Sequence, residues 1–102
     1  MKQINWSPDK NQQLIEERGL CFEDIVFALQ QGKLLDDMRH PNTAKYPNQR
    51  LFVVDLDGYI HLVPYVENEH EIFLKTIIPS RKATKQYLGT AHEKQNRLHP
   101  SE

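Results

Sequence analysis

The side chains best suited to chemistry in this chain are five histidines and an uneven scatter of cations. His40 opens a segment rich in Pro and Asn, and histidine is the side chain that exchanges a proton near neutral pH, so His40 is a candidate proton carrier. His61 alternates with Tyr59 and Val63 along a strand, a setting in which a surface position is the better reading. His70 falls in a turn, and His92 and His99 fall in the polar C-terminal stretch. Arg81 and Lys82 follow Ser80 in the first turn of a helix, where the macrodipole already presents partial positive charge, at a cost of about 0.3 to 1 kcal/mol per exposed charge. Such a conflict suits a phosphate receptor built from free NH groups and the two cations, with Lys85 close behind. The alternative is an ion pair between Arg81 or Lys82 and a strand acid such as Asp55. Lys75 interrupts an apolar strand on the pleat face of Phe73 and Ile77, which predicts a face open to solvent or to a ligand. Arg50 joins Lys75 and Arg81 if the strands align. Tyr46 and Tyr87 offer aromatic faces for stacking on bases or hydroxyls to donate a proton, with core or rim packing as the better reading.

The charge of the chain is segregated. Residues 1–74 hold seven Lys or Arg against twelve Asp or Glu, whereas residues 75–97 hold six against one. This predicts that the C-terminal segment meets an anion; the plainer alternative is a solvated basic helix.

Composition narrows the class. At 102 residues with 38% apolar content the chain has room for one core and no second domain. The single cysteine, Cys21, excludes an intramolecular disulfide framework, and no CxxC or HxxxH spacing supports structural zinc. The acid pairs Glu16-Glu17, Asp36-Asp37 and Glu69 with Glu71 read as solvated surface rather than as metal ligands. Neither a Gly-rich phosphate loop nor a GxSxG elbow is present, so no metal or cofactor is expected. The first residues lack the pattern of a signal peptide, and no apolar run nears the ~20 residues that span a bilayer. A reducing cytoplasm is the expected compartment.

The elements that must position these residues follow from local signals. Ser7-Pro8-Asp9 starts a helix that runs to Arg18 and is stopped by Gly19, with Leu14 and Ile15 as its main apolar contacts. Phe22, Ile25, Val26 and Leu29 form the stripe of a second helix closed by Gly32. Leu34 to Arg39 reads as a short strand, and His40 to Gln49 as a loop punctuated by Pro41 and Pro47. Leu51–Leu56, Asp57-Gly58 and Tyr59–Val66 spell a hairpin, with Pro64 demanding a sheet edge or a bulge. A third long strand covers Glu71 to Ile78, and Ser80 caps a last helix that Gly89 ends. The expected class is α+β: two N-terminal helices, an antiparallel sheet of three or four strands and a C-terminal helix in one domain over 1–89. Residues 90–102 read as a polar, flexible tail.

The order of these signals resembles the BrnT family of type II toxins. The resemblance runs from Ile4-Asn5-Trp6 and Pro8-Asp9-Lys10-Asn11 through Arg18-Gly19 and Phe22-Glu23-Asp24 to Ile77-Ile78-Pro79-Ser80-Arg81-Lys82-Ala83-Thr84. Met38-Arg39-His40-Pro41-Asn42 and Tyr46-Pro47-Asn48-Gln49-Arg50 depart from the family's commoner pattern. The resemblance implies a fold similar to RelE-type ribonucleases and inhibition of translation by RNA cleavage. It also implies a partner antitoxin, of the ribbon-helix-helix type, through which alone the complex touches DNA and represses its own operon. Metal-independent cleavage would use Arg81, with Arg50 or Lys75, on the phosphate and His40 or a nearby Lys as proton carrier. Lys10 and Glu23 are carried over from the family motif as residues that shape the site, and Glu23 serves equally as a cap of the second helix. A catalytically silent relative that acts only as a protein-binding module is the competing reading, and the atypical segment from His40 to Arg50 favours it.

Overall fold

The computed structural model describes residues 2–89. Its elements are β1 (Gln3–Trp6), α1 (Pro8–Arg18), α2 (Phe22–Gln30), β2 (Leu34–Arg39), β3 (Arg50–Leu56), β4 (Tyr59–Glu67), β5 (Glu71–Leu74), β6 (Ile78–Pro79), α3 (Arg81–Thr84) and a π-helical turn, Lys85–Gly89. The class is α+β.

Local chemistry sets the helix limits. Ser7 Oγ accepts from Lys10 N, Pro8 occupies the first helical turn, and Gly19 closes α1 at φ 67°, a left-handed angle that favours glycine. α2 buries Phe22, Ile25 and Ala28. On α1 the inward position next to Leu14 is held by Asn11, while Ile15, expected as a core contact, is 43% exposed. The buried Asn11 side chain earns that place by joining the two helices: its Oδ1 accepts from Phe22 N at 2.7 Å and its Nδ2 donates to Glu23 at 2.9 Å.

The sheet departs from the expected antiparallel set of three or four strands. It is a mixed sheet of six strand segments in the order β1-β5-β4-β3-β2, with β6 also on β4. β1 was not legible as a strand, and it pairs parallel with β5, Ile4 opposite Ile72 and Trp6 opposite Leu74. The expected long strand from Glu71 to Ile78 is broken at 75–77. Tyr65 faces Leu74 but Leu62 faces Ile78, a register shift of one residue along β4. Lys75 and Thr76 therefore oppose Pro64 alone, as in a β-bulge. Pro64 has no N–H to complete the ladder there, and its carbonyl accepts from Lys75 N at 2.8 Å. Pro64 thus sits in a central strand rather than at the edge, with the bulge in its neighbour.

The bulge has a packing consequence. An odd spacing along a regular strand would turn Leu74 and Ile77 to opposite faces; with the extra residue both enter one core. That core lies between α1, α2 and one face of the sheet and contains Leu14, Phe22, Ile25, Phe52, Val54, Val63, Tyr65, Leu74 and Ile77. A smaller cluster, Val53, Ile60 and Ala83 with Leu62, Tyr87 and Leu88, lies on the opposite face beneath α3. The sheet is therefore covered on both sides, by the helix pair and by the C-terminal turn. No helix among the described residues is long and apolar enough to cross a membrane.

Candidate functional site

The face under α3 gathers the cations that the expected chemistry needs. Ser80 Oγ accepts from Ala83 N at 3.0 Å, and Thr84 Oγ1 both donates to Ser80 O and accepts from Ile60 N, each at 2.8 Å. These bonds pin one short turn to the end of β4. Its cap takes the Ala83 N–H, so the first turn of α3 offers a phosphate fewer free N–H groups than the sequence suggested. The cations remain available. Arg81, Lys82 and Lys85 are exposed, and none makes an ion pair with an acid of the described residues. The alternative partner for Arg81 or Lys82, Asp55, instead accepts from Gly58 N at 2.7 Å.

Between this turn and the β2 side of the sheet runs a groove of about 250 Å³. Leu51, Val53 and Leu62 floor it, Met38 and Pro41 form one wall, and Lys82, Gln86 and Tyr87 line the other. Tyr87 is held by a hydrogen bond from its hydroxyl to Asp36 Oδ2 at 2.8 Å, which also pushes the phenol pKa upward. Asp36 and Asp37, adjacent on β2, thus serve opposite faces.

Asp37 holds Arg50. The Arg50 guanidinium donates to Asp37 Oδ1 at 3.2 Å, to the Asp37 carbonyl at 3.0 Å and to the Tyr65 hydroxyl at 3.3 Å. Tyr65 in turn donates to Asp37 Oδ1 at 2.6 Å and stacks on Phe52 with ring centroids 4.0 Å apart. The Tyr65 hydroxyl and then the Asp37 carboxylate push the Arg50 pKa up. Burial, reinforced by the Asp37 contact, pushes Tyr65 up to about 12. Arg50 is thereby committed to a cross-strand network on the helix-covered face.

The structure separates the expected phosphate ligands. Arg50 is opposite Tyr65 while Ser80 N bonds Ile60 O, five positions away along β4 and on the other face, or about 17 Å at the rise of a strand. Lys75 is exposed at the bulge with its ammonium 5.5 Å from the Phe73 ring centre. His40 and Tyr46 do come together, their rings 4.5 Å apart, with Lys45 5.4 Å from the Tyr46 ring. His40 Nδ1 accepts from Asn42 N at 3.0 Å, which leaves Nε2 to exchange a proton. The loop carrying this pair supplies Pro41 to the groove.

The remaining candidates are structural in their contacts. Lys10 is half-buried and its backbone N–H is spent on the Ser7 cap. Glu23 accepts from Asn11, and that amide contact lowers its carboxyl pKa. His61, expected on the surface, is 7% exposed and its pKa is depressed by burial. Sequence reasoning missed Asp36, Asp37 and Tyr65 as partners of Tyr87 and Arg50, because cross-strand partners become visible only once the β2–β3–β4 register is known. No group of His, Cys, Asp and Glu among the described residues is arranged to hold a metal ion. His92 and His99 lie outside the described residues. Comparison with protein-family models, with curated proteins and with solved structures returns no match.

Proposed function

We propose that the chain is the toxin of a type II toxin–antitoxin pair, cutting RNA without a metal ion and neutralised by a DNA-binding antitoxin. The observation that carries this reading is the exposed cationic turn of Arg81, Lys82 and Lys85, which pairs with no acid among the described residues, beside the groove that holds Tyr87 over an apolar floor. Single-stranded RNA is bound by that combination, cations on phosphates and an aromatic face on a base. In this reading Arg81 and Lys82 stabilise charge on the phosphate, and His40, at the start of the loop that walls the groove, moves the proton. Arg50 orders the sheet from its ion pair with Asp37 rather than touching RNA.

One observation favours a second reading, a catalytically silent relative that works as a binding module. Arg50 and Arg81 lie on opposite faces, so the described residues do not gather two arginines and a histidine around one point. Inducible expression of the chain alone in bacteria, with sequencing of new RNA 5′ ends, separates the two. Growth arrest with cut sites that disappear in Arg81→Ala is expected for the toxin. Normal growth and unchanged RNA would favour the binding module, and arrest undiminished in Arg81→Ala would remove Arg81 from the site.

A further inference from the structure

On the helix-covered face, at the end of the sheet away from Arg50, α2 and the β3–β4 turn enclose a second groove of about 440 Å³. Leu20, Phe27 and Leu56 supply its apolar walls. Asp24 and Asp57, both exposed, line it with Lys33, two carboxylates to one ammonium, a charge balance opposite to that around α3. Asp55 borders it from the strand of Val53, its carboxylate bonded to Gly58 N. Phe27 is 61% exposed, an unusual state for a large apolar ring and one that leaves its face open beside the acids.

His61 is the second, independent observation. It lines the same groove at 7% exposure. Its Nδ1 lies 3.0 Å from the Tyr59 carbonyl, which only accepts, so Nδ1 carries the proton. Among the described residues no group bonds Nε2 and no fully buried side-chain N or O atom lacks a partner, so Nε2 retains some exposure, on a residue that lines the groove. Burial favours the neutral ring, in which Nε2 is an acceptor.

We propose that this groove docks an arginine side chain of a partner protein, its guanidinium received by His61 Nε2 and the carboxylates of Asp24 and Asp57. Acceptors spread around a space match the planar fork of five N–H donors better than a compact ammonium, and Phe27 offers the stacking face that a guanidinium takes. The apolar walls extend the contact to side chains flanking the arginine, which a free polyamine would leave uncovered. The site shares no residue with the α3 groove, so it stands or falls independently of RNA cleavage.

The test is an NMR titration of the labelled full chain with the peptide acetyl-Leu-Arg-Leu-amide and with its citrulline counterpart, an uncharged isostere. The arginine peptide is expected to give saturable shifts at the His61 ring and the Asp57-Gly58 amides, with a Kd on the order of 1 mM or tighter. Citrulline should weaken binding at least about tenfold, as loss of charge-assisted hydrogen bonds does. The Asp24→Asn, Asp57→Asn double variant should weaken it as much; both residues are exposed, and Asn tolerates the φ of 53° at position 57. An unchanged amide spectrum away from the groove verifies its fold. Equal binding of the two peptides, shifts elsewhere, or no saturable shift would overturn the proposal. Putrescine binding as tightly as the peptide would identify a polyamine site and overturn it as well.

Discussion

At the residue scale, a few polar side chains join elements that the apolar core alone would not align. Asn11 shows why: with one amide it satisfies the buried N–H at the start of α2 and the Glu23 carboxylate, fixing the angle between α1 and α2. Arg18 donates to the Ile77 carbonyl at 3.1 Å and Trp6 stacks on Phe22 at 5.7 Å, so both residues secure helices to sheet. Tyr65 is the residue whose titration reports on the core. Its folded pKa of about 12 exceeds the ordinary value of 10.0, so the native state holds its proton more tightly than the unfolded chain. The stability this contributes is fully present below pH 10 and is lost as pH rises toward 12. Urea denaturation across that interval should show wild-type stability falling more steeply than that of Tyr65→Phe. Parallel slopes would mean that the hydroxyl is solvated rather than held by Asp37.

At the element scale, the β3–β4 hairpin is the most strongly specified part of the chain. Asp57 and Gly58 have φ of 53° and 85°, the paired positive angles of a two-residue turn whose twist matches the strands. Space is free around Gly58, so an added methyl group meets no neighbour and its cost is conformational alone. Gly58→Ala is therefore expected to lower stability by about 1 to 2 kcal/mol, with the urea m-value unchanged. A loss under a few tenths would mean that the turn relaxes to another type. The third strand was less legible for a reason at this same scale. Its apolar residues read as one continuous run, and only the proline on β4 and the shifted register reveal that the run is broken at Lys75 and Thr76.

At the scale of the molecule, charge is divided between surfaces as it is along the chain. The α3 turn presents cations that pair with no acid among the described residues, while the groove beside α2 is lined by Asp24 and Asp57. Were Arg81 and Lys82 to contact RNA phosphates, each would release bound counterions, and affinity for a single strand would fall with salt by about 0.7 log units per log unit for each contact. The Arg81→Ala, Lys82→Ala double variant should thus flatten the salt dependence of binding to a short single-stranded RNA by about 1.4, as read by fluorescence anisotropy. An unchanged slope would show that these cations face solvent alone, and would leave the partner-binding reading.

The sequence alone determined what depends on neighbours a few residues apart. Ser7, Pro8 and Gly19 delimit α1, Asp57-Gly58 makes the hairpin, and Ser80 caps α3, because caps and turns are satisfied by backbone groups within reach of one side chain. Tertiary structure decided the rest. The four residues of β1 have too little length to announce a strand, and become one by pairing with β5, 68 positions later in the chain. His61 is buried rather than exposed because α2 covers its face of β4, which alternation along the strand cannot report. Arg50 and Arg81, alike in charge, part to opposite faces of the sheet, since pleat and register, not residue type, settle which groups a side chain meets.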